Sequence, residues 1–196
     1  EVLGRGLLPR MMITESSIRN AFTVAMAIGG STNSILHLTA LAHEAGFEFP
    51  LSSVDKLTST VPLICKLAPS GTQYMEDLDL AGGIPAVMKE ISAMLDLRTP
   101  TVLGVPLAEI VARASICNRE VIRPLSDPYS PTGGLRVLYG NLAPEGAVIK
   151  SAGIAEEMMR HRGPARVFDS EEEAIEAMTQ RRIVSGNVIV IRYEGP

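Results

Sequence analysis

A pair of adjacent glycines, Gly29-Gly30, constrains the fold of this 196-residue chain more than any other feature. Before the pair, apolar residues recur at three- and four-residue spacing over 18–26, which predicts a helix with one buried face. After the pair, the same spacing runs over 35–45, and Gly46 stands where a glycine commonly ends a helix. Two glycines in a row stop the first helix and leave the backbone free to turn. The sequence therefore predicts two packed helices joined by a tight hinge.

The three residues after the hinge, Ser31, Thr32 and Asn33, are the candidate binding residues of the chain. Ser31 or Thr32 can cap the second helix, whose first N–H groups lack intrahelical partners and carry partial positive charge. A substrate carboxylate or phosphate could bind at such a helix end. The simpler interpretation is a helix–turn–helix with a serine cap and no ligand, and the spacing alone favours it.

Composition and charge exclude several classes of partner. Hydrophobic residues make up 46% of the chain, but aromatic residues only 4%, so aliphatic side chains and methionine must fill the core. The net charge is −4 and the isoelectric point about 5.5. No cluster of lysine or arginine could neutralise a nucleic-acid backbone, and no apolar run approaches the roughly 20 residues that a membrane-spanning helix needs. We therefore expect neither nucleic acid nor a membrane as partner.

The two cysteines, Cys65 and Cys117, have neither the spacing of metal ligands nor that of a redox pair. Neither has a nearby histidine or helix N-terminus to activate its thiol, so both are expected to be small buried hydrophobes. Unpaired cysteines favour a reducing compartment, cytosolic or organellar, and we expect a cytoplasmic protein. The start, Glu1-Val2-Leu3, has no signal-peptide character and resembles the interior of a longer chain.

Local signals set the boundaries of other elements in the first 120 residues. Thr14 is placed to cap the first long helix. Ser52 or Ser53 is placed to cap a short helix over 54–57. The apolar run 61–67 is expected to be extended.

A second glycine pair, Gly82-Gly83, separates two further helical segments. Pro85 falls in the first turn of the second segment, where proline is tolerated. Three carboxylates, those of Glu76, Asp77 and Asp79, crowd the short helix before the pair. Helical geometry places the last two about 200° apart, so they cannot form one metal site by themselves. A solvated acidic face is the favoured interpretation.

The composition changes near residue 121, where prolines and the pair Gly133-Gly134 cluster as in a linker or a crossing segment. Three β-rich runs follow, over 135–139, 147–150 and 165–168. Ser170 and Glu173 then form a capping-box pattern at the start of a helix. The run 188–191 is continuously apolar, which predicts a strand covered on both faces.

A series of short motifs runs through the chain in a fixed order. They are Ile13-Thr14 with Gly29–His37, Ala68–Gly71, Met75–Asp77, Ala81–Val87, Ile122–Leu125, Gly133–Leu135, Tyr139–Pro144, Gly163–Ala165 and Val190–Pro196. Each is modest alone, but together they are specific: the chain resembles the iron–sulfur dihydroxy-acid and sugar-acid dehydratases over essentially its whole length. It is most similar to the dihydroxy-acid dehydratases, because sugar-acid members usually diverge at Ser70 and Met75.

The resemblance implies an α/β fold in two parts. Residues 1–120 would be the mostly helical C-terminal part of the family's N-terminal α/β domain. Residues 121–196 would begin a β-rich C-terminal domain of the swivelling-barrel type. The family is typically homodimeric or of higher homo-oligomeric state, so a homodimer is expected.

The resemblance also implies a lyase that eliminates water from a small-molecule 2,3-dihydroxy acid to give a 2-keto acid, as in branched-chain amino-acid biosynthesis. In that family an Fe–S cluster, of 2Fe-2S or 4Fe-4S type, acts as Lewis acid on the departing 3-hydroxyl. A Mg²⁺ ion binds the carboxylate and the developing enolate, and a serine alkoxide takes the C2 proton.

By the same resemblance, the cluster cysteines and most Mg²⁺ ligands would precede Glu1, and the base serine would follow Pro196. We therefore expect a central piece of a longer enzyme, with no catalytic or metal-binding residue of its own and no activity alone. Its expected role at the site is substrate binding by Ser31, Thr32 and Asn33. Two alternatives stay open: a sugar-acid (aldonate) dehydratase of the same family, and a non-catalytic domain that binds a small anion.

Overall fold

A computed structural model describes residues 3–195 of the chain. Three residues lie outside this range. They are Glu1 and Val2 at the start of the chain, and Pro196, the last residue of the final motif. The chain forms two compact units, of which the first ends at Gly153 and the second begins at Ile154. Within 3–195, no helix combines the length and the apolar character needed to cross a membrane.

The first unit is mainly helical, with one small sheet. Its α-helices are α1 Pro9–Met12, α2 Glu15–Ile28, α3 Asn33–Glu44, α4 Leu51–Thr60, α5 Met75–Leu80, α6 Gly83–Glu90 and α7 Leu107–Arg113. Its strands are β1 Arg136–Leu138 and β2 Ala147–Ile149, which pair antiparallel. Short 3₁₀ turns lie at Leu3–Arg5, Ser92–Met94 and Ser151–Gly153.

The first long helix, α2, is fixed at its start by a reciprocal cap and held in place by its buried face. The Thr14 hydroxyl accepts a hydrogen bond from the backbone N–H of Ser17 at 3.1 Å, and the Ser17 hydroxyl accepts one from the N–H of Thr14 at 2.8 Å. Phe22 and Met26 are fully buried, and the Phe22 ring stacks on Phe49 at 4.8 Å between centroids. The predicted cap and the predicted buried face are both confirmed.

Helix α4 differs from the prediction. It begins at Leu51 and extends to Thr60, so Ser52 and Ser53 lie inside it and neither caps it. Pro50 takes the cap position in an extended conformation, and its carbonyl accepts the N–H of Ser53 at 2.8 Å. Because proline has a fixed φ and needs no hydrogen-bond acceptor for its nitrogen, it can precede a helix without a side-chain cap.

The stretch rich in proline and glycine after residue 121 crosses the first unit and is not an exposed linker. Ile122 and Leu135, near its two ends, are fully buried. Between them, Ser130 pairs with Leu63, a residue of the extended run 61–67. The Leu63 N–H donates to the Ser130 carbonyl at 2.9 Å. The turn-forming residues therefore direct a packed segment across the core, and the linker interpretation of this composition is wrong.

Glycines bring three distant segments of the first unit together. A Cβ added to Gly134 would lie 2.6 Å from the Cα of Gly29 and 3.2 Å from the Cβ of Ala152. The backbone at this point is tied by two hydrogen bonds, from the N–H of Gly134 to the Met26 carbonyl at 3.2 Å and from the N–H of Ala152 to the Gly134 carbonyl at 3.1 Å. We call this contact of Gly29, Gly134 and Ala152 the glycine junction.

The second unit is a β–α–β arrangement. Its elements are β3 Ala165–Phe168, α8 Glu171–Thr179 and β4 Val188–Ile191, with a 3₁₀ turn at Glu156–Met158. Strands β3 and β4 pair in parallel, with Ala165 opposite Val188. Phe168 of β3 packs on Ala174 and Ala177 of α8 to form a small core of its own.

Helix α8 starts at the predicted cap with one difference in detail. The Ser170 hydroxyl accepts the N–H of Glu173 at 3.2 Å, as the capping-box pattern predicts. The Glu173 carboxylate, however, accepts the N–H of Asp169 at 3.1 Å and not that of Ser170. The side chain thus reaches one residue further back along the chain.

The three predicted β-rich runs are confirmed as β1, β2 and β3, but the environment of β4 is not as predicted. Val188, Ile189 and Ile191 remain 36–41% exposed, because within residues 154–195 a single helix, α8, packs against the two-stranded sheet. A continuous apolar run gives the strand but does not ensure two covering layers. In the described range, seven of the eight α-helices precede residue 120 and all four strands follow it. This mixture of helices and small sheets is consistent with the α/β class.

Replacing Gly134 by alanine should destabilise the first unit. The new methyl group would meet backbone atoms of the hinge, which cannot swing aside as a flexible side chain would. We expect a loss of about 1–3 kcal/mol in the free energy of unfolding, measured by urea denaturation with circular dichroism.

Gly140→Ala is the matched control, because a Cβ at Gly140 meets nothing within 4 Å. Its urea midpoint should stay close to that of the unmodified protein. Equal midpoints for Gly134→Ala and Gly140→Ala would contradict the glycine junction.

Candidate functional site

The hinge between α2 and α3 has the conformation that the glycine pair predicts. Gly29 ends α2 in the left-handed region, at φ 63° and ψ 48°, which glycine adopts without steric cost. The N–H of Gly30 donates to the Ala25 carbonyl at 2.8 Å and so satisfies one of the free carbonyls of the helix end. A side chain at Gly29 would also approach Leu63 to 3.0 Å. The hinge therefore needs glycine both for its backbone angle and for close packing.

The Ser31 side chain contacts the start of α3 from the residue before the N-cap position, which Thr32 holds. The Ser31 hydroxyl accepts the N–H of Asn33 at 3.2 Å, and the Ser31 carbonyl accepts both the N–H and the hydroxyl of Ser34. Thr32 directly precedes the helix, but its side chain makes no capping hydrogen bond. Thr32 therefore holds the N-cap position without using its hydroxyl, and Ser31, one residue earlier, supplies the side-chain hydrogen bond to the first helical residue.

A cleft of about 580 Å³ opens beside this hinge. One wall is the hinge itself, Gly29 to Thr32. The other lining residues are Ile28, Leu67, Ala68, Pro69, Tyr74, Met75 and Lys150. Tyr74 and Met75 are mostly exposed and stand at the rim. The cleft thus combines a polar backbone turn, the hydroxyls of Ser31 and Thr32 and the Tyr74 phenol at the rim with a largely apolar wall.

Among residues 3–195, Lys150 is the one charged residue that lines the cleft. It follows β2 directly and is half-buried. None of the ion pairs or side-chain hydrogen bonds found in residues 3–195 involves its ammonium group. The backbone after it is fixed, because the Ser151 hydroxyl donates to the Gly133 carbonyl at 3.3 Å and the Ala152 N–H to the Gly134 carbonyl.

The structure places two of the three candidate residues on the cleft. Ser31 and Thr32 line it, whereas Asn33 is exposed on the first turn of α3 and is not among the lining residues. Substrate binding by these three residues stays a prediction. The sequence did not predict that Lys150 lines this cleft, because no motif or spacing near it indicates a binding residue. Only the glycine junction, which joins residues more than 100 positions apart, brings it to the hinge.

A second cavity of the first unit, of about 320 Å³, also contains cationic side chains, but they are already engaged. The Arg5 guanidinium donates to the carbonyls of Leu103 at 2.8 Å and Gly104 at 3.3 Å. Arg113 pairs with Glu109 at 3.4 Å. The hinge cleft is therefore the better candidate site, since its cation has no partner in the described residues.

The acidic residues of α5 form no metal site in the structure. Glu76 and Asp79 are exposed, and the Asp77 carboxylate accepts the N–H of Tyr74 at 2.6 Å at the start of the helix. This is the solvated acidic face that the spacing favours. Among residues 3–195, no group of three histidine, cysteine or carboxylate side chains is placed to hold a metal ion.

The two cysteines differ, contrary to the prediction that both are buried. Cys65 is fully buried in the extended run, and burial raises the pKa of its thiol from 9.0 to about 12. Cys117 lies four residues beyond the end of α7 and is exposed. The prediction for Cys117 is wrong, because α7 ends at Arg113 and its buried face does not extend to residue 117.

Comparisons with known proteins agree on one family. Residues 1–110 match the family model described as dihydroxy-acid/6-phosphogluconate dehydratase N-terminal, and residues 120–196 match the corresponding C-terminal model. Three relatives, each named dihydroxy-acid dehydratase, come from Caldanaerobacter subterraneus subsp. tengcongensis, Moorella thermoacetica and Agathobacter rectalis. They are 51%, 52% and 51% identical over 198 aligned positions that cover all of this chain.

The chain belongs to the dihydroxy-acid/6-phosphogluconate dehydratase family, as the series of motifs predicts. It spans 35–36% of the length of these relatives. Two family models therefore meet within this one chain, between residues 110 and 120.

The two thiols should react at very different rates. At pH 8 in the folded protein, Cys117 should react with a disulfide reagent at once, and Cys65 only after denaturation, because its thiol is buried and un-ionised. Time-resolved absorbance of the released thiolate measures both phases, and Cys117→Ala should remove the fast one. Two equally fast thiols in the folded protein would contradict the burial of Cys65.

The buried Cys65 thiol should also make the stability of the folded state depend on pH. Its pKa is raised in the folded state above the unfolded value of about 9. The unfolded state therefore releases the proton first as the pH rises. The stability that Cys65 contributes is full below pH 9 and should be lost between pH 9 and about 12.

Proposed function

We propose that the protein containing this chain is a dihydroxy-acid dehydratase, which removes water from a 2,3-dihydroxy acid and yields a 2-keto acid. The support that carries this proposal is family membership together with roughly 50% identity to relatives named dihydroxy-acid dehydratase. The sugar-acid alternative has less support, because these relatives are named for dihydroxy acids. The branched-chain amino-acid pathway is the proposed context.

The reaction breaks the C2–H and the C3–O bonds of the substrate. The C2 proton goes to a base, the 3-hydroxyl leaves as water after protonation, and the resulting enol becomes the 2-keto acid. The residues of this chain would bind and orient the substrate: the Thr32 hydroxyl has no capping bond to give up, and the hinge backbone lines the same cleft. The apolar wall fits the hydrocarbon part of a branched acid better than a polyhydroxylated sugar chain.

The Fe–S cluster and Mg²⁺ implied by the resemblance do not fit the side chains described here. Cluster ligands are thiolates, but Cys65 is a buried thiol with a raised pKa and Cys117 is alone. The acidic residues near the cleft form no group of three within residues 3–195. We therefore derive no step through either cofactor. Their ligands would lie in segments of the relatives that this chain does not match.

The finer architecture is also part of the proposal. We place the boundary between the two family domains near residue 120, with residues 121–196 at the start of a β-rich C-terminal domain of the swivelling-barrel type. Residues 121–153 of that domain then pack within the first compact unit, which ends at Gly153. The match of one family model up to residue 110 and of the other from 120 supports the boundary, as does the position of all described strands after it. A homodimer in a reducing cytoplasm completes the proposal, and the free cysteines are compatible with that compartment.

A chimera tests the activity. The matching third of the Moorella thermoacetica relative is replaced by this chain, and the purified protein is loaded with its cofactors. We expect it to convert 2,3-dihydroxyisovalerate into a keto acid, detected as a hydrazone, because the substituted third should supply the same substrate-binding surface. The unmodified relative is the positive control.

The 196-residue chain alone, given iron, sulfide and Mg²⁺, is the second control and should form no keto acid. A folded, cofactor-loaded chimera that leaves the dihydroxy acid unchanged would refute the proposed function. Conversion of an aldonate in its place would favour the sugar-acid alternative, and binding without turnover would favour the small-anion domain.

In the same chimera, Thr32→Val and Asn33→Ala test the predicted binding residues. Thr32→Val should lower turnover by about tenfold or more through loss of a hydrogen bond to a charged group, with little change in the thermal midpoint. Asn33→Ala tests whether the site extends beyond the cleft lining, to which Asn33 does not belong. Thr39→Val on α3 is the matched control, because its hydroxyl bonds the Ile35 carbonyl at 2.8 Å within the helix and does not line the cleft. Unchanged turnover in both test variants would mean that the hinge has a structural role alone.

A further inference from the structure

We propose that a cavity of about 320 Å³ in the first unit binds a small aliphatic carboxylate, at a site separate from the hinge cleft. We call it the arginine cavity, because Arg5 and Arg113 are two of its seven lining residues. Its lining shares no residue with that of the hinge cleft. The proposal therefore adds a second ligand site and does not rest on the proposed function.

Arg5 carries the first step of the argument. Its guanidinium donates to the carbonyls of Leu103 and Gly104, at 2.8 and 3.3 Å. Because these acceptors are neutral, the hydrogen bonds hold the guanidinium in place and leave its positive charge uncompensated. They use two of the five N–H donors of the group, and none of the ion pairs found in residues 3–195 involves Arg5. The charge and the remaining donors favour an anion beside it.

Gly104 allows this guanidinium to lie close against the loop that carries it. The Gly104 backbone is left-handed, at φ 71°, and a Cβ added there would lie 2.6 Å from a guanidinium nitrogen of Arg5. The loop is closed by hydrogen bonds from the Thr101 N–H and hydroxyl to the Val105 carbonyl, at 3.1 and 2.8 Å. The cation is thus positioned before a ligand arrives, which reduces the ordering cost of binding.

Arg113, on α7, adds a second cation to the same lining. Its partner, Glu109, is 3.4 Å away, and both side chains are exposed. Exposed ion pairs of this kind contribute little to stability, so a ligand carboxylate can replace Glu109 as the partner at small cost. Within the part of the chain that the structure describes, no aspartate or glutamate lines the cavity.

The other lining residues match the uncharged part of the ligand. All five are aliphatic: Leu7, Val105 and Ile110 are half-buried, and Val102 and Leu103 are 61–62% exposed. The volume of the cavity, about 320 Å³, is near the lower limit of small-molecule sites. A carboxylate with a short branched hydrocarbon chain fits both the charge and the aliphatic surface, whereas a phosphate fits the charge alone.

The test compares isovalerate with its neutral amide, isovaleramide. Each is titrated into the 196-residue chain, and the backbone amide resonances of Leu103 and Gly104 are followed by NMR. The resonances of Gly30 and Thr32 report on the hinge cleft in the same spectra. At the arginine cavity the acid should bind about ten- to a hundredfold more tightly than the amide, the range of a charge-assisted hydrogen bond. Inorganic phosphate should bind more weakly than the acid.

Three variants test the two arginines. Arg5→Met and Arg113→Met should each lower the affinity for isovalerate by about tenfold or more, and Arg113→Met leaves the loop contacts of Arg5 in place. Gly104→Ala should also lower the affinity, because the methyl group displaces the Arg5 guanidinium without removing its charge. Arg10→Met is the matched control, since Arg10 is exposed on α1 outside the cavity, and it should leave binding unchanged.

The proposal is overturned if acid and amide bind equally, if phosphate binds more tightly than the acid, if the shifts appear only at Gly30 and Thr32, or if Arg113→Met keeps full affinity. Calorimetry on the cofactor-free chimera gives the second check, and Arg5→Met should weaken isovalerate binding there by the same factor. Equal affinities with and without Arg5→Met would mean that another segment of the longer protein fills the cavity, which would also overturn the proposal.

Discussion

The close backbone contact of the glycine junction is the constraint on which the site depends. With hydrogen in place of a side chain at Gly29 and Gly134, two segments more than 100 residues apart approach within the space that a single Cβ would occupy. The hydrogen bonds from Gly134 to Met26 and from Ala152 to Gly134 extend this contact into a short ladder. One end of the ladder is the end of α2, and the other is the 3₁₀ turn Ser151–Gly153, which directly follows Lys150.

This arrangement explains why the hinge and Lys150 belong to one cleft. The hinge supplies a turn whose shape is fixed by the left-handed Gly29 and the hydrogen bond between Ser31 and Asn33. The junction supplies a cation from a distant part of the chain, and the run that ends at Leu67 supplies apolar surface. Each contribution is modest alone. Together they line one cleft with hydroxyl groups, a cation and apolar surface.

The parts of this fold that could be predicted from sequence are those set by neighbouring residues. The hinge, the Thr14 cap, the capping serine at Ser170 and the run 165–168 depend on local backbone preferences, and each is found in the structure. The helix start at Leu51 was misplaced, because Pro50 takes the cap position and two serines nearby gave a competing signal.

The remaining differences depend on long-range packing, which local patterns do not contain. The exposure of Cys117 follows from the early end of α7 at Arg113, and the exposure of β4 from the single helix that covers its sheet. Lys150 was missed for the same reason: its position is determined by the approach of Gly29 and Gly134, and no spacing rule links these residues. The local pattern of the hinge indicated Ser31 and Thr32, which line the cleft, but nothing in that pattern indicated the cation beside them.

A crystal structure of the 196-residue chain tests the central claim most directly. The account predicts that Gly134 packs on Gly29, that the Ala152 N–H donates to the Gly134 carbonyl, and that Ser31, Thr32 and Lys150 line one cleft. A hinge held apart from Gly134 by intervening side chains, or a Lys150 that lies outside the cleft, would contradict it.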